Sequence, residues 1–249
     1  MIEPHILILR GGHTVPEVLR DHGDYDRWFT DRMDGLGCRF SVTHLPDGGL
    51  PELDGYDGIL VTGSVSSVLE PADWMGPLGE LIVRTAAQGP PTLAVCFGAQ
   101  MAAAALGGRV ERNPLGWEIG TIGIDLTPEG LKDPLFSGLS ARVEIQAVHE
   151  DSVTALPPGA TLLAGSVKAP VQAFSAGPKL RAVQFHPEAS AGIIQQLVNL
   201  RRERLEEDAL AHGALDRPAA RAIVSGIATG IRDTPDGRQV LANWVRHFL

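Results

Sequence analysis

The sequence predicts an α/β protein with a mostly parallel central sheet flanked by helices, an antiparallel strand region and a helical C-terminal extension. Three observations favour this class. In the first half of the chain, short apolar runs alternate with helical stretches, as in βαβ units. Between residues 109 and 188, strand-like runs follow one another with Gly and Pro between them. After residue 187 the pattern becomes helical again.

The first half contains runs of the length and composition of strands and helices. The apolar runs that predict strands are HILIL (5–9), CRFSVTHL (38–45), GILVT (58–62) and TLAV (92–95). The stretches that predict helices are YDRWFTDRM, WMGPLGELIVRTAAQ and AQMAAAAL. Open α/β sheets bind ligands beyond the carboxyl ends of their strands, so we expect functional residues directly after these strands.

The middle of the chain predicts antiparallel strands. The strand-like runs are TIGIDL, RVEIQAVH, ATLLAGS, VQAFS and LRAVQFH. Gly177 and Pro178 predict a hairpin that turns between Ala176 and Lys179.

The C-terminal part predicts helices. IIQQLVNLRRERLEED (193–208) begins with apolar residues and then becomes highly charged, which is typical of a solvated face. Residues 211–218 predict a bend, and Thr234-Pro235 predicts the start of a last helix. An apolar stripe on that helix predicts packing against the body of the domain; it consists of Leu241, Trp244, Val245 and Phe248. We assign residues 1–200 to the main domain and 201–249 to a helical extension packed on it.

Composition excludes several functions. The chain has 249 residues, 44% of them hydrophobic, and a formal net charge of −9, which disfavours nonspecific binding to nucleic acid or to an anionic membrane surface. No apolar stretch approaches the ~20 residues that cross a bilayer, and the N-terminus lacks a signal-peptide pattern. The two cysteines, Cys38 and Cys96, form no disulfide framework and have no metal-ligand spacing. We expect a soluble protein in the reducing cytoplasm, without a metal or cofactor.

The segment PTLAVCFGAQ (91–100) predicts a sharp turn from a strand into a helix, with Cys96 at its centre. Such a turn holds its central side chain outward and tolerates only small residues two positions away on either side, here Ala94 and Gly98. At the N-terminus of a helix, free amide groups and the helix dipole favour a thiolate. The same cysteine could equally be a small buried hydrophobic residue at a strand end.

A base for this thiol is predicted in RAVQFHPE, where His186 follows a strand-like run and Glu188 comes two residues later. Residues i and i+2 of an extended segment lie on the same side, so the carboxylate can bind one imidazole nitrogen and fix the tautomer. A purely structural His–Glu pair is the alternative.

Together, CFGAQ (96–100), QFHPE (184–188) and the upstream glycine loop VTGSVSSV (61–68) resemble the class I glutamine amidotransferase family, in the family's order and over roughly residues 1–200. The glycine loop is not a Walker motif because it lacks the Gly-Lys-Ser/Thr ending. The resemblance implies a flavodoxin-like sheet and hydrolysis of the γ-amide of glutamine through a γ-glutamyl thioester.

The resemblance also implies residue roles. Cys96 would be the nucleophile, His186 the general base and acid, and Glu188 the residue that orients His186. Backbone amides of Gly63 and Phe97 would hold the oxyanion, and Gln100 would help to hold the substrate. The sequence departs from the common pattern in two places: Thr62-Gly63 replaces Gly-Gly, and Ala94 replaces a glycine.

The remaining candidates are weaker. His149, in AVHED, could contact the substrate or a partner, or could be a structural histidine with satisfied hydrogen bonds. His13 could face the same cleft. Trp117 and Glu118 are predicted to be packing and strand-surface residues, and Cys38 to be a buried thiol. A metal site at His186 and Glu188 is disfavoured because no third ligand has suitable spacing.

Three classes of function remain open. The leading one is a thiol hydrolase of γ-glutamyl amides, which acts either alone on γ-glutamyl peptides and amines or as the ammonia-producing subunit of a separate synthase. The run VCFGAQ, GWEIG, QFHPE resembles stand-alone members of the family. The second is a redox protein with a reactive elbow cysteine, which Phe97 disfavours because proteins of that group often have His there. The third is a binding protein without catalysis.

Overall fold

The structure, a computed structural model, describes residues 3–249; Met1 and Ile2, which begin the predicted main domain, lie outside this range. The described residues form eleven strands, eight α-helices and three short 3₁₀ helices. The strands are β1 (His5–Arg10), β2 (Arg39–His44), β3 (Gly58–Val61), β4 (Thr92–Val95), β5 (Arg109–Arg112), β6 (Glu118–Leu126), β7 (Arg142–His149), β8 (Asp151–Ala155), β9 (Thr161–Gly165), β10 (Ala173–Ala176) and β11 (Leu180–Val183). The helices are α1 (Pro16–His22), α2 (Tyr25–Arg32), α3 (Met75–Gln88), α4 (Phe97–Ala105), α5 (Ala191–Leu200), α6 (Arg202–Ala211), α7 (Arg217–Gly230) and α8 (Pro235–Phe248).

Nine strands form one mixed sheet in the order β2-β1-β3-β4-β11-β10-β9-β6-β7. The pairs from β2 to β11 are parallel, and the pairs from β11 to β7 are antiparallel. Strands β5 and β8 pair separately in a two-stranded antiparallel sheet. The predicted fold class is confirmed, including the antiparallel region and the hairpin between β10 and β11.

Strands β4 and β11 lie side by side at the junction of the two halves of the sheet. They run parallel, and Val95 at the end of β4 is opposite Val183 at the end of β11. Because the carboxyl ends of parallel neighbours reach the same edge of the sheet, the residues that follow both strands emerge together.

Both faces of the parallel half are buried. Along β1, Ile6 and Ile8 belong to one apolar cluster, whereas Leu7 and Leu9 belong to the cluster on the opposite face. Helices therefore cover the sheet on both sides, which explains why its strands are continuous apolar runs rather than alternating ones.

The last helix, α8, completes one of these clusters. Leu241 and Trp244 are fully buried in the same cluster as Ile6 and Ile8, and Val245 and Phe248 pack against it. Burial of one such side chain contributes ~1.5–3 kcal/mol. The predicted apolar stripe is thus the face that contacts the core.

The helix predicted over 193–208 is interrupted, and this part of the prediction is wrong. Arg201 lies between α5 and α6 with φ −102° and ψ 10°. The residues around it are good helix formers, so local propensity does not indicate the break.

Helix α7, which the sequence did not predict, begins after Asp216, whose side chain accepts a hydrogen bond from the N–H of Ala219. Within residues 3–249, no helix combines the length and hydropathy needed to cross a bilayer.

Candidate active site

Cys96 is the single residue between β4 and α4, and its backbone has an unusual conformation. Its φ is 51° and its ψ is −103°, and among residues 3–249 it is the one non-glycine residue with a positive φ. Such a conformation costs a non-glycine residue ~1–3 kcal/mol and is common where a nucleophile is presented on a strand-to-helix turn.

The two small flanking residues leave room for this turn. Ala94 is fully buried between Val61 on β3 and Ala182 on β11. A Cβ added at Gly98 would lie 2.6 Å from the carbonyl oxygen of Val61, closer than real Cβ atoms approach backbone. The contact with β3 therefore excludes a side chain at position 98, and the buried position 94 is occupied by a residue with only a methyl group.

His186 and Glu188 follow β11 and form a buried pair. The Nδ1 of His186 lies 2.6 Å from Oε1 of Glu188, and the two residues are 3% and 2% exposed. The backbone N–H of His186 donates to the carbonyl of Gln146 on β7 at 2.8 Å, which fixes the main chain here. The other ring nitrogen, Nε2, is buried and has no hydrogen-bond partner among the described residues.

The surroundings of His186 favour the imidazolium. Burial alone lowers the pKa of His186, but the Glu188 carboxylate bound to Nδ1 and the charge of Cys96 overcome this effect and raise the pKa well above 6.5. The raised pKa favours the protonated ring, and His186 lines the same cavity as Cys96.

Gly63, in the loop after β3, packs directly against the imidazole. A Cβ at this position would lie 2.8 Å from Cε1 of His186 and 3.5 Å from Cε1 of Tyr25. The sequence predicted a glycine here because an amide must approach the substrate, but the contact with His186 is itself sufficient to require one. Among the hydrogen bonds of residues 3–249, none is donated by the backbone N–H of Gly63 or Phe97.

Gln100 and Gln184 lie on one side of Cys96. The Nε2 of Gln184 is 3.6 Å from the Cys96 sulfur, and Gln100 Nε2 donates to Gln184 Oε1 at 3.3 Å. Gln100 Nε2 also donates to the carbonyl of Asp151 at 2.9 Å, and the Asp151 side chain accepts a hydrogen bond from Ser67. Sequence reasoning missed Gln184, although its position two residues before His186 in an extended segment could have indicated it.

His149 lies at the cavity wall, with both ring nitrogens engaged. Its Nε2 is 3.0 Å from Glu118 Oε2, and its Nδ1 is 3.2 Å from the carbonyl of Asp151. The structure therefore favours the structural alternative for His149. The prediction that Glu118 is a strand-surface residue is wrong: this carboxylate is 6% exposed and also accepts hydrogen bonds from Ser166 and Gln172.

Other predicted candidates lie apart from the Cys96–His186 pair. The His13 side chain is about half exposed and pairs with Asp24 at 2.6 Å. Cys38 precedes β2 and is only partly buried, so its prediction as a buried thiol is wrong. Trp117, partly buried, lines the cavity described next. Within the described range, no three His, Cys, Asp or Glu side chains are placed to hold a metal ion.

A cavity of about 780 Å³ opens above Cys96 and His186. This volume lies within the range of ~300–1,000 Å³ typical of small-molecule sites and exceeds what one amino acid fills. Tyr25, which sequence reasoning did not single out, contributes to its floor, and burial together with the charge of Cys96 raises the pKa of the Tyr25 phenol. Helix α5 and the α5–α6 junction form one wall, with Ile194, Leu197 and Arg201.

Comparison with known proteins was made by sequence and by structure. The sequence model described as "Glutamine amidotransferase class-I" matches residues 18–199, more than half of the chain. "Gamma-glutamyl peptidase 3" of Arabidopsis thaliana is 30% identical over 188 residues, which cover 73% of this chain and 76% of that protein. "GMP synthase [glutamine-hydrolyzing]" of Thermus thermophilus is 40% identical over 177 residues, which cover 70% of this chain and 33% of that protein.

Solved structures share the fold. A crystal structure of a glutamine amido transferase from Methylobacillus flagellatus superimposes with a TM-score of 0.73 at 24% identity and covers 100% of this chain and 96% of its own. A glutamine amidotransferase from Thermotoga maritima gives a TM-score of 0.67 at 20% identity, with 98% of both chains covered. At these identities the likeness shows the fold alone.

Proposed function

Because this chain belongs to the glutamine amidotransferase class-I family, we propose that it is a thiol hydrolase that cleaves the γ-glutamyl amide bond of a γ-glutamyl peptide, a γ-glutamyl amine or glutamine. The observation that supports this most strongly is the strained backbone of Cys96 beside the buried His186–Glu188 pair. Folding maintains a costly conformation only where the surrounding structure imposes it, and such conformations cluster at active sites.

Each residue has a chemical role in the proposed reaction. The thiolate of Cys96 attacks the γ-carbonyl carbon, and the carbonyl oxygen becomes an oxyanion. Protonated His186 then donates its Nε2 proton to the leaving nitrogen as the carbon–nitrogen bond breaks, which leaves a γ-glutamyl thioester. Water attacks the thioester while His186 accepts its proton, and glutamate and the free thiolate result. Glu188 holds the Nδ1 proton and thereby the tautomer and orientation of the ring.

We propose that the backbone amides of Gly63 and Phe97 stabilise the oxyanion. Both N–H groups lack a hydrogen-bond acceptor within residues 3–249, and Phe97 is the first residue of α4, where the helix dipole favours negative charge. Preorganised amide donors of this kind are each worth ~10²–10³ in kcat. Gln100 is proposed to form the glutamyl side of the pocket together with Gln184.

A second candidate is an ammonia-donating glutaminase subunit that serves a separate synthase. The similarity to the Thermus thermophilus GMP synthase, at 40% identity, favours it. The similarity to Arabidopsis gamma-glutamyl peptidases, which extends over three quarters of those proteins, favours the stand-alone hydrolase. The two candidates differ in whether the isolated chain is active.

The experiment is a substrate panel with the purified chain. Glutamine, γ-glutamyl dipeptides and γ-glutamyl amines are incubated with the protein, and glutamate release is measured. We expect hydrolysis by the isolated chain, with γ-glutamyl peptides or amines preferred over glutamine because contacts beyond the scissile bond can stabilise the transition state. A trapped intermediate with the mass of one γ-glutamyl group on Cys96 should appear on rapid acid quenching.

Matched cysteine variants serve as controls. Cys96→Ala should abolish turnover, whereas Cys38→Ala should retain it, because Cys38 lies before β2 and away from the cavity. An active Cys96→Ala variant contradicts the proposed nucleophile. If the pure protein is silent on every γ-glutamyl compound but active when a co-purifying synthase is added, the ammonia-donor function is correct instead.

A further inference from the structure

Arg201 presents an unpaired guanidinium to the cavity. It occupies the break between α5 and α6 and lines the cavity together with Trp117 and Arg204. Its Nη1 atom is buried and has no hydrogen-bond partner in the described part of the chain. A buried donor without an acceptor is uncommon in folded proteins and calls for an explanation.

The neighbouring charges do not neutralise Arg201. Arg112 and Arg204 line the same cavity, but both form ion pairs with Glu150, the Arg204 pair at 2.6 Å. The cavity wall also contains Glu17 and Glu70, yet neither they nor any other carboxylate of residues 3–249 is within ion-pair distance of Arg201.

The guanidinium of Arg201 lies over an aromatic ring. Its guanidinium carbon lies 5.8 Å from the centre of the Trp117 ring. Burial lowers the pKa of Arg201, although an arginine remains charged at neutral pH. A positive charge that is partly desolvated and unpaired costs free energy, and a bound anion would remove that cost.

Arg201 lines the same cavity as Cys96 and His186. Gln100 is hydrogen-bonded to Gln184 and to the carbonyl of Asp151, and in the proposed function these two glutamines form the glutamyl side of the pocket. Tyr25 lies next to His186 at Gly63 and also lines the cavity. Because His186 protonates the departing nitrogen in the proposed reaction, we place the leaving group in the part of the cavity that Tyr25 and α5 line.

The wall between His186 and Arg201 is apolar. Tyr25, Ala189, Ile194 and Leu197 belong to one hydrophobic cluster and line the cavity. A leaving group that crosses this wall would place a short apolar side chain on it and an anionic end at Arg201. An amino acid or short peptide, linked through its amino group, has this arrangement.

From the proposed function and this geometry, we infer that Arg201 binds the carboxylate of the leaving group. The preferred substrates are then γ-glutamyl amino acids or peptides with a free carboxylate rather than γ-glutamyl amines or polyamines. Arginine suits this role because its planar guanidinium binds a carboxylate through two parallel hydrogen bonds. Arg201 is thus a specificity-determining residue, distinct from the residues that perform the bond cleavage.

The experiment changes the substrate and the residue together. γ-Glutamylalanine, γ-glutamylalaninamide and mono-γ-glutamyl-1,4-diaminobutane differ in the charge of the leaving group and share the scissile bond. Each is assayed with the wild type, with Arg201→Gln and with the control Arg202→Gln, which removes the same charge outside the cavity. Thermal unfolding of each variant verifies the fold.

We expect the wild type to prefer γ-glutamylalanine over its amide by about 10- to 100-fold in kcat/KM, and to use the diamine compound least. Arg201→Gln should abolish this preference, mainly through the KM for γ-glutamylalanine, and lower kcat/KM for the amide by a much smaller factor. Arg202→Gln should retain the preference. Equal use of γ-glutamylalanine and its amide by the wild type overturns the inference, as does an equal loss on both in Arg201→Gln.

A binding measurement separates this inference from the proposed function. If the wild type hydrolyses none of the three compounds, the hydrolase proposal fails, and calorimetric titration of γ-glutamylalanine and its amide into Cys96→Ala tests Arg201 alone. Binding that requires both the carboxylate and Arg201 supports the site. If removal of the ligand carboxylate or of the Arg201 side chain leaves binding unchanged, the inference is overturned.

Discussion

Replacement of Gly63 by alanine tests whether packing against Gly63 positions His186. The new Cβ would lie 2.8 Å from Cε1 of His186, whereas ordinary contacts begin at about 3.4 Å, so the ring must move by about 0.6 Å. The ring cannot simply rotate, because its Nδ1 is 2.6 Å from the buried Glu188 carboxylate. Gly63 does not have a positive φ, so alanine adds this contact without backbone strain.

A displacement of this size affects catalysis more than stability. A misplacement of ~1 Å at a reacting group can lower a rate by ~100-fold, so we expect kcat of Gly63→Ala to fall by about 10- to 100-fold. Overpacking of the site should lower the free energy of unfolding by ~1–3 kcal/mol. The control is Gly226→Ala on the exposed face of α7, where a Cβ meets open space; it should retain full activity and gain up to ~1 kcal/mol of stability.

The alkylation rate of Cys96 distinguishes the two reasons for a glycine at 63. Reaction with iodoacetamide depends on the thiolate–imidazolium pair but forms no oxyanion. If His186 is displaced, Gly63→Ala should lose both turnover and fast alkylation. Normal alkylation with lost turnover would mean that Gly63 acts through its amide alone, and full turnover would refute both reasons.

Four further predictions concern the Cys96–His186–Glu188 group. Cys96→Ala and Cys96→Gly should both be inactive. In urea unfolding, the glycine variant should be more stable than the alanine variant by ~1 kcal/mol, because glycine adopts φ 51° without strain. A less stable glycine variant contradicts this. His186→Ala should lower kcat/KM by ~100- to 10,000-fold, and by more than Glu188→Gln; the reverse order would exchange their roles. The pKa of His186, followed by NMR, should lie above 6.5 and fall in Glu188→Gln. A raised histidine pKa stabilises the fold below pH 6.5, and this stability is lost as the pH rises through the folded pKa. Glu188→Gln should therefore be less stable than the wild type at acidic pH. An unchanged His186 pKa in Glu188→Gln would refute the coupling. Iodoacetamide should label Cys96 faster than Cys38, because burial raises the pKa of Cys38; equal rates would count against the nucleophile.

The features that could be predicted from the sequence are local. The turn at Cys96 is specified by small residues at 94 and 98 between a strand and a helix, and all of these lie within one short segment. The His186–Glu188 hydrogen bond follows in the same way from the two-residue period of an extended chain. The strands of the nine-stranded sheet and the hairpin between β10 and β11 also follow from apolar runs and turn residues, whereas β5 and β8 were not predicted.

The features that could not be predicted depend on contacts between distant segments. Tyr25 looks like any aromatic residue of an amphipathic helix, and only the assembled sheet brings α2 next to Gly63. Glu118 resembles an exposed strand carboxylate until His149 and Gln172 surround it. Arg201 belongs to a charged run whose periodicity continues through it, so nothing local indicates that the helix breaks and turns this residue towards the cavity.

The position of β11 has a consequence for when the proposed nucleophile, Cys96, would become reactive during synthesis. Strand β4 pairs with β3, its neighbour in sequence order, but its other partner, β11, leaves the ribosome much later. Until β11 inserts, β4 is an open edge, and the thiol of Cys96 has no imidazole beside it. Closing so long a loop is entropically slow, so we expect this pairing late in folding. The nascent chain would then expose an ordinary, unactivated cysteine to cellular oxidants and electrophiles, and the reactive thiol would form only as the cavity closes around it.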